Sequence, residues 1–300
     1  MHKIFKSIFR NILIPIVFFI QKIYYTIISL LKILIKSKIV NFKNISRKDI
    51  YILGAGPSLK NILENKINKL MNKDLVVFNF FAFSSYYEIL KPQYYVLVDG
   101  AFWINNLNDY IKDVKQRERL YKKRKKLFSE IIRKTNWDMT IYFPIEALKN
   151  KELNKLFNDN ECIKISYVNT VSYHGFVSLG NWLRKKALAG FIYQNCILGG
   201  LYICIMNKYQ NIYILGADHD WIKNMKVNNK NELLLYDNHF YNNDLKPLIL
   251  DSNLYNEYKS LYVLFNEYIQ IKKFAKYMNV NIYNATEGGM LDVFDRKEIE

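Results

Sequence analysis

The chain is poor in cysteine, proline and glycine, which number 3, 5 and 11 among 300 residues. Cys162, Cys196 and Cys204 are too few and too scattered for a disulfide framework, and no CxxC pair suggests a zinc site. Half of the residues are hydrophobic and 24% are charged, a composition that excludes intrinsic disorder, collagen and a polytopic membrane protein. We therefore expect an intracellular protein with reduced thiols and one large domain or two small ones.

Arginine is also scarce, although the chain is strongly basic. Lys and Arg number 44 against 27 acidic residues, a formal net charge of +17, yet only eight of the 44 are arginine. Nucleic-acid-binding proteins favour arginine for bidentate contacts, and much of the lysine content fits the codon bias of an AT-rich genome. We expect no nucleic-acid partner, while an anionic membrane or a phosphorylated substrate remains compatible with the charge.

Acidic side chains are missing altogether from the first 48 residues, which carry ten basic ones. At about 100° per residue, the polar side of a helix would hold Lys3, Lys6, Arg10, Gln21, Lys22, Tyr25, Ser29, Lys32 and Lys36. The apolar side would hold Ile8, Ile12, Ile16, Phe19, Ile23, Ile27, Leu30 and Leu34. This amphipathic pattern is typical of an in-plane membrane helix. It predicts that residues 1–45 anchor the protein on the inner face of the cytoplasmic membrane.

Three other structures would suit this segment less well. A spanning helix needs about 20 apolar residues, which residues 12–31 nearly supply, but Lys22 lies mid-span at a cost of about 2.5–3.5 kcal/mol. No small-residue cleavage site follows, as a signal peptide would require. A helix packed on the protein's own core would leave ten cations without acidic partners. Pro15 is expected to kink the helix in every case.

From residue 49 onwards, short apolar runs alternate with helical spacing. Strands are predicted at residues 50–53, 75–78, 94–98, 139–143, 163–168, 212–215 and 280–283, and helices at 84–90, 197–206 and 255–277. Such alternation predicts the α/β class, with a parallel sheet flanked by helices over residues 46–300. The charge run at residues 115–126 has helical spacing and is interpreted as a solvated helix face; the alternative is a patch for anionic lipid or a phosphorylated acceptor.

The first chemical signal is the turn Gly54-Ala-Gly-Pro-Ser58, placed where a buried strand passes into a helix. Gly54 and Gly56 would permit positive φ and let a phosphate approach backbone N–H groups, while Pro57 suits a first helical turn and Ser58 offers a hydroxyl. The turn is neither a Walker A motif nor a full GxGxxG. A tight structural turn without ligand remains the alternative.

Polar residues follow three later strands. Asn79, Asp99 and Asp218, the last in the sequence Leu215-Gly216-Ala-Asp218, stand where those strands end. Ligands of open α/β sheets bind at the carboxyl ends of strands, so the set predicts a nucleotide-sugar site there. Each residue taken alone could be a helix N-cap.

These motifs resemble a known group of enzymes. The segments 51–59, 77–83 and 212–218 are similar to bacterial sialyltransferases of glycosyltransferase family 42. The tail Tyr283-Asn-Ala-Thr-Glu-Gly-Gly289 is similar to the motility-accessory-factor (Maf) flagellin glycosyltransferases, which use CMP-activated nonulosonic acids. The resemblance spans residues 49–290. Two departures from the pattern are Ala55 in the glycine turn and the segment 195–200 before the central helix.

The resemblance implies a Rossmann-like, GT-A-variant fold and inverting, metal-independent transfer from a CMP-sugar donor, with no further cofactor. Gly54, Gly56, Pro57 and Ser58 would line the CMP phosphate, and Asn79 matches the family asparagine at the donor site. Asp99 lies where another polar donor contact occurs. The acceptor would be a cell-surface glycan or a lipid-linked glycan, as in lipopolysaccharide or capsule biosynthesis.

Two histidines compete for the role of base. The resemblance places His239 in a lid, residues 219–250, that would bring it over the donor. His219 lies between Asp218 and Asp220, which should raise its pKa. We expect His239 to be the base and His219 a donor-site or structural partner. His174 fits a loop or capping role, with binding of the acceptor or of phosphate as the alternative. Trp103 and Trp221 are candidates to stack on a sugar or on cytosine.

The turn that carries Glu287 has two interpretations. Glu287 could hydrogen-bond ribose hydroxyls, although its Thr-Glu-Gly-Gly turn can also be a plain β-turn.

Two other functions remain open at the level of sequence. The same turn resembles archaeal pterin pyrophosphokinases, which would imply ATP and Mg²⁺ at Asp218 and Asp220; a short Asp-x-Asp pattern is, however, common by chance. The third candidate function is that of a non-catalytic, membrane-tethered scaffold.

Overall fold

The computed structural model describes residues 13–45, 49–111, 113–236 and 247–299. The chain divides into two units, one of Met1–Asn41 with Asn169–Ile192 and one of Phe42–Val168 with Tyr193–Glu300. The predicted domain boundary near residue 45 stays a prediction. The first unit also includes a second stretch, Asn169–Ile192, that is distant in the sequence.

Within its described residues, the second unit contains an eight-stranded sheet whose neighbouring strands are all parallel, in the order β11-β10-β6-β1-β2-β3-β4-β5. The strands are β1 (Asp49–Leu53), β2 (Leu75–Phe78), β3 (Tyr94–Val96), β4 (Met139–Pro144), β5 (Ile163–Val168), β6 (Asn211–Leu215), β10 (Asn281–Asn284) and β11 (Asp295–Arg296). A separate antiparallel sheet consists of β7 (Met225–Val227), β8 (Leu233–Leu235) and β9 (Leu248–Leu250).

Helices flank the larger sheet. They are α2 (Ser58–Asn65), α3 (Tyr86–Leu90), α4 (Gly100–Trp103), α5 (Val114–Lys134), α6 (Lys151–Leu156), α8 (Cys196–Met206) and α9 (Leu254–Tyr277). The predicted α/β class and Rossmann-like arrangement are therefore confirmed. The charge run proves to be part of α5, a helix whose buried residues all lie in its second half.

Alternate residues of each strand pack against opposite layers, which places one core on each face of the sheet. Tyr51 and Leu53 of β1 belong to one cluster, together with apolar side chains of α2 and α5. On the other face lies α8, whose Gly199 and Gly200 bring its backbone against side chains of β2 and β3. All 11 residues of α8 except Cys196 are buried, as expected for a helix that is apolar all round.

The chain reverses its direction of travel across the sheet at β1. From β1 it proceeds through β2 to β5 on one side, whereas β6 pairs with the other edge of β1, with Leu53 opposite Leu215. The loops that follow β1 and β6 therefore diverge at the carboxyl edge and leave a crevice. This is the topological switch point, where ligands of open α/β sheets bind.

The first unit combines α1 (Ile14–Lys36) with α7 (Val177–Lys185) and the irregular segment before it. Ile33 of α1 packs in a small cluster with Val171, Tyr173 and Leu183. The Ser29 hydroxyl donates to the carbonyl of His174 and accepts from its N–H. One face of α1 is thus held by residues that lie about 140 positions later in the chain.

The faces of α1 differ in part from the amphipathic prediction. Ser29, expected on the polar solvent side, is buried against the protein, because its hydroxyl pairs with the His174 backbone. Apolar side chains are exposed well beyond the predicted apolar face, Val17, Phe18 and Leu31 among them. Pro15 lies in the first turn of α1 as it is described, where proline is tolerated. Predicted face residues at positions 3–12 lie outside the described residues.

By length and composition α1 could cross a membrane. Its 23 residues have a mean hydropathy of 1.7, and only 6% of its most apolar window is buried. This low burial is unlike that of a core helix in a soluble domain.

Candidate functional site

A cavity of about 170 Å³ lies at the switch point, lined by the ends of β1, β2 and β6 and by the start of α8. Seven of the predicted site residues line it: Gly54, Gly56, Pro57, Asn79, Gly216, Asp218 and His219. Residues from four separate stretches of chain therefore meet here; the strand-end argument named three of them, and the start of α8 is the fourth. Asp220, Trp221, Asn224 and Tyr236 complete the wall on the side of the small sheet.

The glycine turn after β1 is needed for packing rather than for an unusual backbone conformation. Gly54 and Gly56 are not among the glycines with positive φ, contrary to expectation. A Cβ at Gly54 would lie 2.3 Å from the carbonyl oxygen of Gly216, and one at Gly56 would lie 1.9 Å from Asp218 Oδ2. The loops after the paired strands β1 and β6 are pressed together, and only glycine fits between them.

The carboxylate of Asp218 occupies the amino end of α2. The Ser58 hydroxyl donates to Asp218 Oδ2 at 2.8 Å, and the Ser58 N–H donates to Oδ1 at 3.3 Å. Desolvation raises the pKa of Asp218, against the lowering effect of these hydrogen bonds. The N–H and hydroxyl of Ser58, which the sequence predicts as phosphate ligands, are thus already hydrogen-bonded to the carboxylate of Asp218. The predicted phosphate contact of Ser58 stays a prediction, and it would require this carboxylate to move.

Asn79, directly after β2, has a positive φ of 48°, which asparagine tolerates better than most residues. Its backbone carbonyl accepts a hydrogen bond from the Tyr95 hydroxyl at 2.6 Å. Its side-chain Oδ1 accepts from the thiol of Cys196 at 3.1 Å, and desolvation raises the pKa of that thiol to about 12. With Oδ1 engaged by a protonated thiol, the two amide N–H groups of Asn79 are what this side chain offers to a ligand.

His219 is buried, with 4% of its surface exposed. Burial lowers the pKa of the imidazole from 6.5 to about 4. The sequence-based expectation of a raised pKa is therefore wrong, because burial desolvates the ring and so disfavours its charged form. The ring also packs against Trp221, at 4.7 Å between centroids. At neutral pH His219 is an uncharged group in the cavity wall.

A chain of hydrogen bonds fixes which ring nitrogen of His219 carries the proton. Asn195 Oδ1 accepts from the N–H of Leu198 and caps α8, so its Nδ2 donates to the Tyr268 hydroxyl at 2.8 Å. The Tyr268 hydroxyl lies 2.9 Å from His219 Nε2. Since the hydroxyl oxygen already accepts from Asn195, we infer that it donates its own proton to Nε2. His219 is thus held as the Nδ1–H tautomer, a hydrogen-bond donor rather than a base.

The turn that carries Glu287 supports the Asp218 loop. The N–H of Ala217 donates to Thr286 Oγ1 at 3.1 Å, and the N–H of Met290 donates to the carbonyl of Asp218 at 2.7 Å. Glu287 itself is exposed and pairs with Lys66 and Asn61. These contacts, with hydrogen bonding to Lys66 the largest, lower its pKa. It does not line the described cavity, so its predicted ribose contact stays a prediction.

Asp99 is likewise absent from the described cavity wall. Its Oδ1 accepts from the N–H of Ala101 at 2.8 Å, which caps α4, and from the Tyr110 hydroxyl at 2.7 Å. This is the N-cap alternative considered from the sequence. Trp103 is held nearby by a hydrogen bond to the Val98 carbonyl, whereas Trp221 lines the cavity.

The remaining predicted residues divide between the two units. His239 lies outside the described residues, as does much of the predicted lid; its role as base stays a prediction. His174 belongs to the first unit, where its Nε2 lies 3.0 Å from the Ser172 hydroxyl. Within the described part of the chain, no group of three or more His, Cys, Asp or Glu residues could hold a metal ion.

Two contributors to the site were missed from the sequence. Asn195 carries a usable signal, because an asparagine just before an apolar helical run is a typical N-cap, and the end of that helix faces the strand ends. Tyr268 has no such signal. It lies in the middle of α9 and looks like any aromatic residue on the inner face of a helix.

A larger cavity, of about 740 Å³, is lined by side chains of α5 and α6, with Arg124 and Phe128 among them. None of the predicted site residues lines it. Arg124 there donates to the carbonyls of Ala101 and Ile104 and so has a structural role. We take the smaller cavity as the candidate site, because it gathers polar groups from the ends of β2 and β6.

No family model and no curated protein matches the chain. Among solved structures, a Maf glycosyltransferase from Magnetospirillum magneticum AMB-1 is similar, with 11% sequence identity and a TM-score of 0.46. The match covers 93% of this chain and 38% of that one, so the chain spans well under half of this neighbour's length. A likeness at this level carries no argument about activity, which therefore rests on the site.

Proposed function

We propose that the chain is a glycosyltransferase that binds a nucleotide-activated sugar in the switch-point cavity. The single observation that carries this proposal is the meeting of Asn79, Asp218 and His219 with the glycine turn around one cavity at the carboxyl edge of a parallel sheet. That edge is the ordinary ligand site of such sheets. The motif resemblance, which includes Asn79, Asp218 and the glycine turn, supports the proposal independently of the geometry.

The donor in this proposal is CMP carrying a nonulosonic acid, and transfer inverts the anomeric carbon without a metal ion. The cavity wall contains hydrogen-bond donors suited to the oxygens of such a substrate: the Asn79 amide and the Nδ1–H of His219. Trp221 offers an aromatic face for the sugar or for cytosine. His219 has too low a pKa to remove a proton efficiently at neutral pH, so the role of base is proposed for His239.

The acceptor in this proposal is a surface glycan or lipid-linked glycan assembled at the inner face of the cytoplasmic membrane. The exposed apolar surface of α1 and the acid-free sequence around it support membrane association. A protein held at that surface would meet lipid-linked acceptors by diffusion in two dimensions.

A thermal-shift panel with CMP, UDP, GDP and ATP tests the proposal. A ligand that binds only the folded state stabilises it by RT ln(1 + [L]/Kd), or about 2.7 kcal/mol at 100 times Kd. We expect CMP to raise the melting temperature by about 5 °C or more, with the other nucleotides giving less, and CMP to be released from a CMP-nonulosonic acid donor. Absence of any nucleotide response would overturn the proposal.

A matched pair of asparagine variants links that response to the cavity. Asn72 and Asn79 flank β2 at opposite ends, and both have positive φ, 59° and 48°, which aspartate also tolerates. Asn79→Asp removes the amide donors and adds a charge at the cavity, so we expect a loss of CMP affinity of tenfold or more. Asn72→Asp makes the same change at the far edge and should bind CMP like the wild type. Equal affinities in the two variants would place the ligand elsewhere.

A second function, a nucleotide-dependent diphosphokinase, is favoured by one observation. Asp218 and Asp220 both line the cavity, and the charge of Asp220 adds to the rise in the pKa of Asp218. Two such carboxylates can bind a Mg²⁺–ATP complex. This function predicts stabilisation by ATP with Mg²⁺ that EDTA abolishes, whereas the CMP response of a transferase would survive EDTA.

A further inference from the structure

One face of α1 is apolar and exposed from end to end. At about 100° per residue, this face points away from the buried contacts at Ser29 and Ile33. We call it the outer stripe; it consists of Leu13, Val17, Ile20, Tyr24, Ile27, Leu31 and Ile35. Every member is at least 44% exposed. The spacing of three or four residues keeps the stripe in line along the helix, and it contains no charged side chain.

The opposite face of α1 is covered by residues 169–176, which run along the helix in the reverse direction. Phe176 packs on Phe19, with ring centroids 5.8 Å apart. Further along the helix, the hydroxyls of Tyr173 and Thr26 lie 3.0 Å apart. Beyond the end of α1, Asn169 pairs with the backbone of Lys38. The covering segment is mostly irregular and has its own polar groups, so it cannot follow the helix into a hydrocarbon layer.

This cover argues against a spanning orientation. With a rise of 1.5 Å per residue, α1 is about 35 Å long and would match a bilayer core of about 30 Å. Spanning would, however, place Ser29 and the exposed His174 near the bilayer centre, together with irregular backbone that lipid cannot satisfy. Lys22 would add a cost of about 2.5–3.5 kcal/mol. An orientation in the membrane plane leaves all of these groups in the headgroup region.

The charge of the first unit selects an anionic partner. The two stretches that form it, residues 1–41 and 169–192, together contain ten Lys and Arg residues and no Asp or Glu. Basic side chains near an anionic leaflet each contribute about 1 kcal/mol to binding. A second copy of the chain would instead bring two acid-free surfaces together, with unfavourable repulsion.

We propose that the first unit docks on an anionic membrane with α1 in the plane of the interface and the outer stripe immersed among the acyl chains. The occupant of the stripe is thus the lipid surface, and the covering segment stays on the aqueous side. This inference rests on the proposed membrane association and defines its geometry; it does not depend on which reaction the second unit catalyses.

Adjacent tyrosines provide a matched test. Tyr24 belongs to the outer stripe and is 60% exposed, whereas Tyr25 is 51% exposed and points about 100° away. The full chain carrying Cys162→Ser is made with Tyr24→Cys or Tyr25→Cys and labelled with the fluorophore NBD. The parent without an added cysteine serves as the blank for Cys196 and Cys204.

Vesicles of phosphatidylcholine with phosphatidylglycerol should shift the emission at position 24 to the blue. Acyl-chain spin labels should quench the fluorophore at position 24 but not at position 25. The protein should bind vesicles of phosphatidylcholine alone at least tenfold more weakly than the anionic vesicles. Equal quenching at both positions would show a spanning helix and overturn the proposal. So would equal binding to the two kinds of vesicle, or a doubled molecular mass with no vesicle response. Loss of the nucleotide response in the same samples would count against the transferase and leave the docking result standing.

Discussion

At the scale of single residues, the surroundings of a side chain decide its chemistry more than its type does. His219 has two acidic neighbours in the sequence and would be expected to carry a proton readily. In the structure the ring is buried against Trp221, and its Nε2 lies 2.9 Å from the Tyr268 hydroxyl. Its pKa falls to about 4, which turns an expected cation or base into a neutral donor.

This buried ring should make stability depend on pH. Burial lowers the folded-state pKa of His219 from 6.5 to about 4, so the unfolded chain binds more protons between those values. The contribution of His219 to the free energy of unfolding is fully present above pH 6.5. It is lost as the pH falls from 6.5 to 4, by about 3 kcal/mol in all. Urea unfolding at pH 7.5 and pH 5 should show about 2 kcal/mol of this loss in the wild type and a smaller loss in His219→Asn.

Asparagine is the suitable replacement because residue 219 has a positive φ of 52°, which asparagine tolerates. Subtracting the stability loss of His219→Asn from that of the wild type removes the contribution of other titrating groups, including Asp218. If both lost stability equally between pH 7.5 and pH 5, the ring would not be held neutral by burial.

At the scale of elements, the start of one helix controls the proton position of a ring on another loop. Asn195 uses Oδ1 to cap α8 and Nδ2 to donate to Tyr268 on α9. A carboxylate at this position could still cap the helix, since Asp is as good an N-cap as Asn. It could not donate to Tyr268.

Asn195→Asp should therefore reverse the hydrogen-bond direction while leaving the cap. The Tyr268 hydroxyl would donate to the new carboxylate and accept from His219 Nε2–H, so the histidine would change from the Nδ1–H to the Nε2–H tautomer. Long-range ¹⁵N–¹H NMR of the imidazole reads the tautomer directly. Asn195→Ala is the control for the cap and should lose about 1 kcal/mol of stability. An unchanged tautomer in Asn195→Asp would refute the relay.

The sequence predicts the strands, the main helices and the edge at which polar residues gather, because these follow from local periodicity and from the rule for parallel sheets. It does not predict that Asp218 fills the turn at Gly56. That contact depends on the pairing of Leu53 with Leu215 and on how two loops fold over it. Short elements such as β11, α7 and the small antiparallel sheet are also missed, since a few residues carry little periodic signal.

At the scale of the whole molecule, two apolar clusters draw on different units. The large apolar cluster on one face of the sheet contains no residue of the first unit. The small cluster around Ile33, in contrast, draws on α1 and on the segment from Val171 to Ala189. Nothing local in the sequence joins these stretches, which is why the sequence predicts a single N-terminal anchor.

A chain that begins at residue 42 should keep a folded α/β unit. Because the sheet and its core remain intact, we expect cooperative urea unfolding by circular dichroism and an unchanged nucleotide response. Residues 169–192 lose their packing partner and should become sensitive to limited proteolysis, and binding to anionic vesicles should be lost. Non-cooperative unfolding of the truncated chain would show that α1 is needed for the second unit to fold.

The origin of the first unit from two distant stretches has a consequence for its synthesis. A ribosome adding about 5–20 residues per second completes residues 169–192 on the order of ten seconds after α1 has emerged. Throughout that interval the nascent helix has no intramolecular cover for Ile33. An exposed apolar segment of this kind is a substrate for early capture by the membrane surface or by a chaperone, so delivery to the bilayer could begin while translation is still under way.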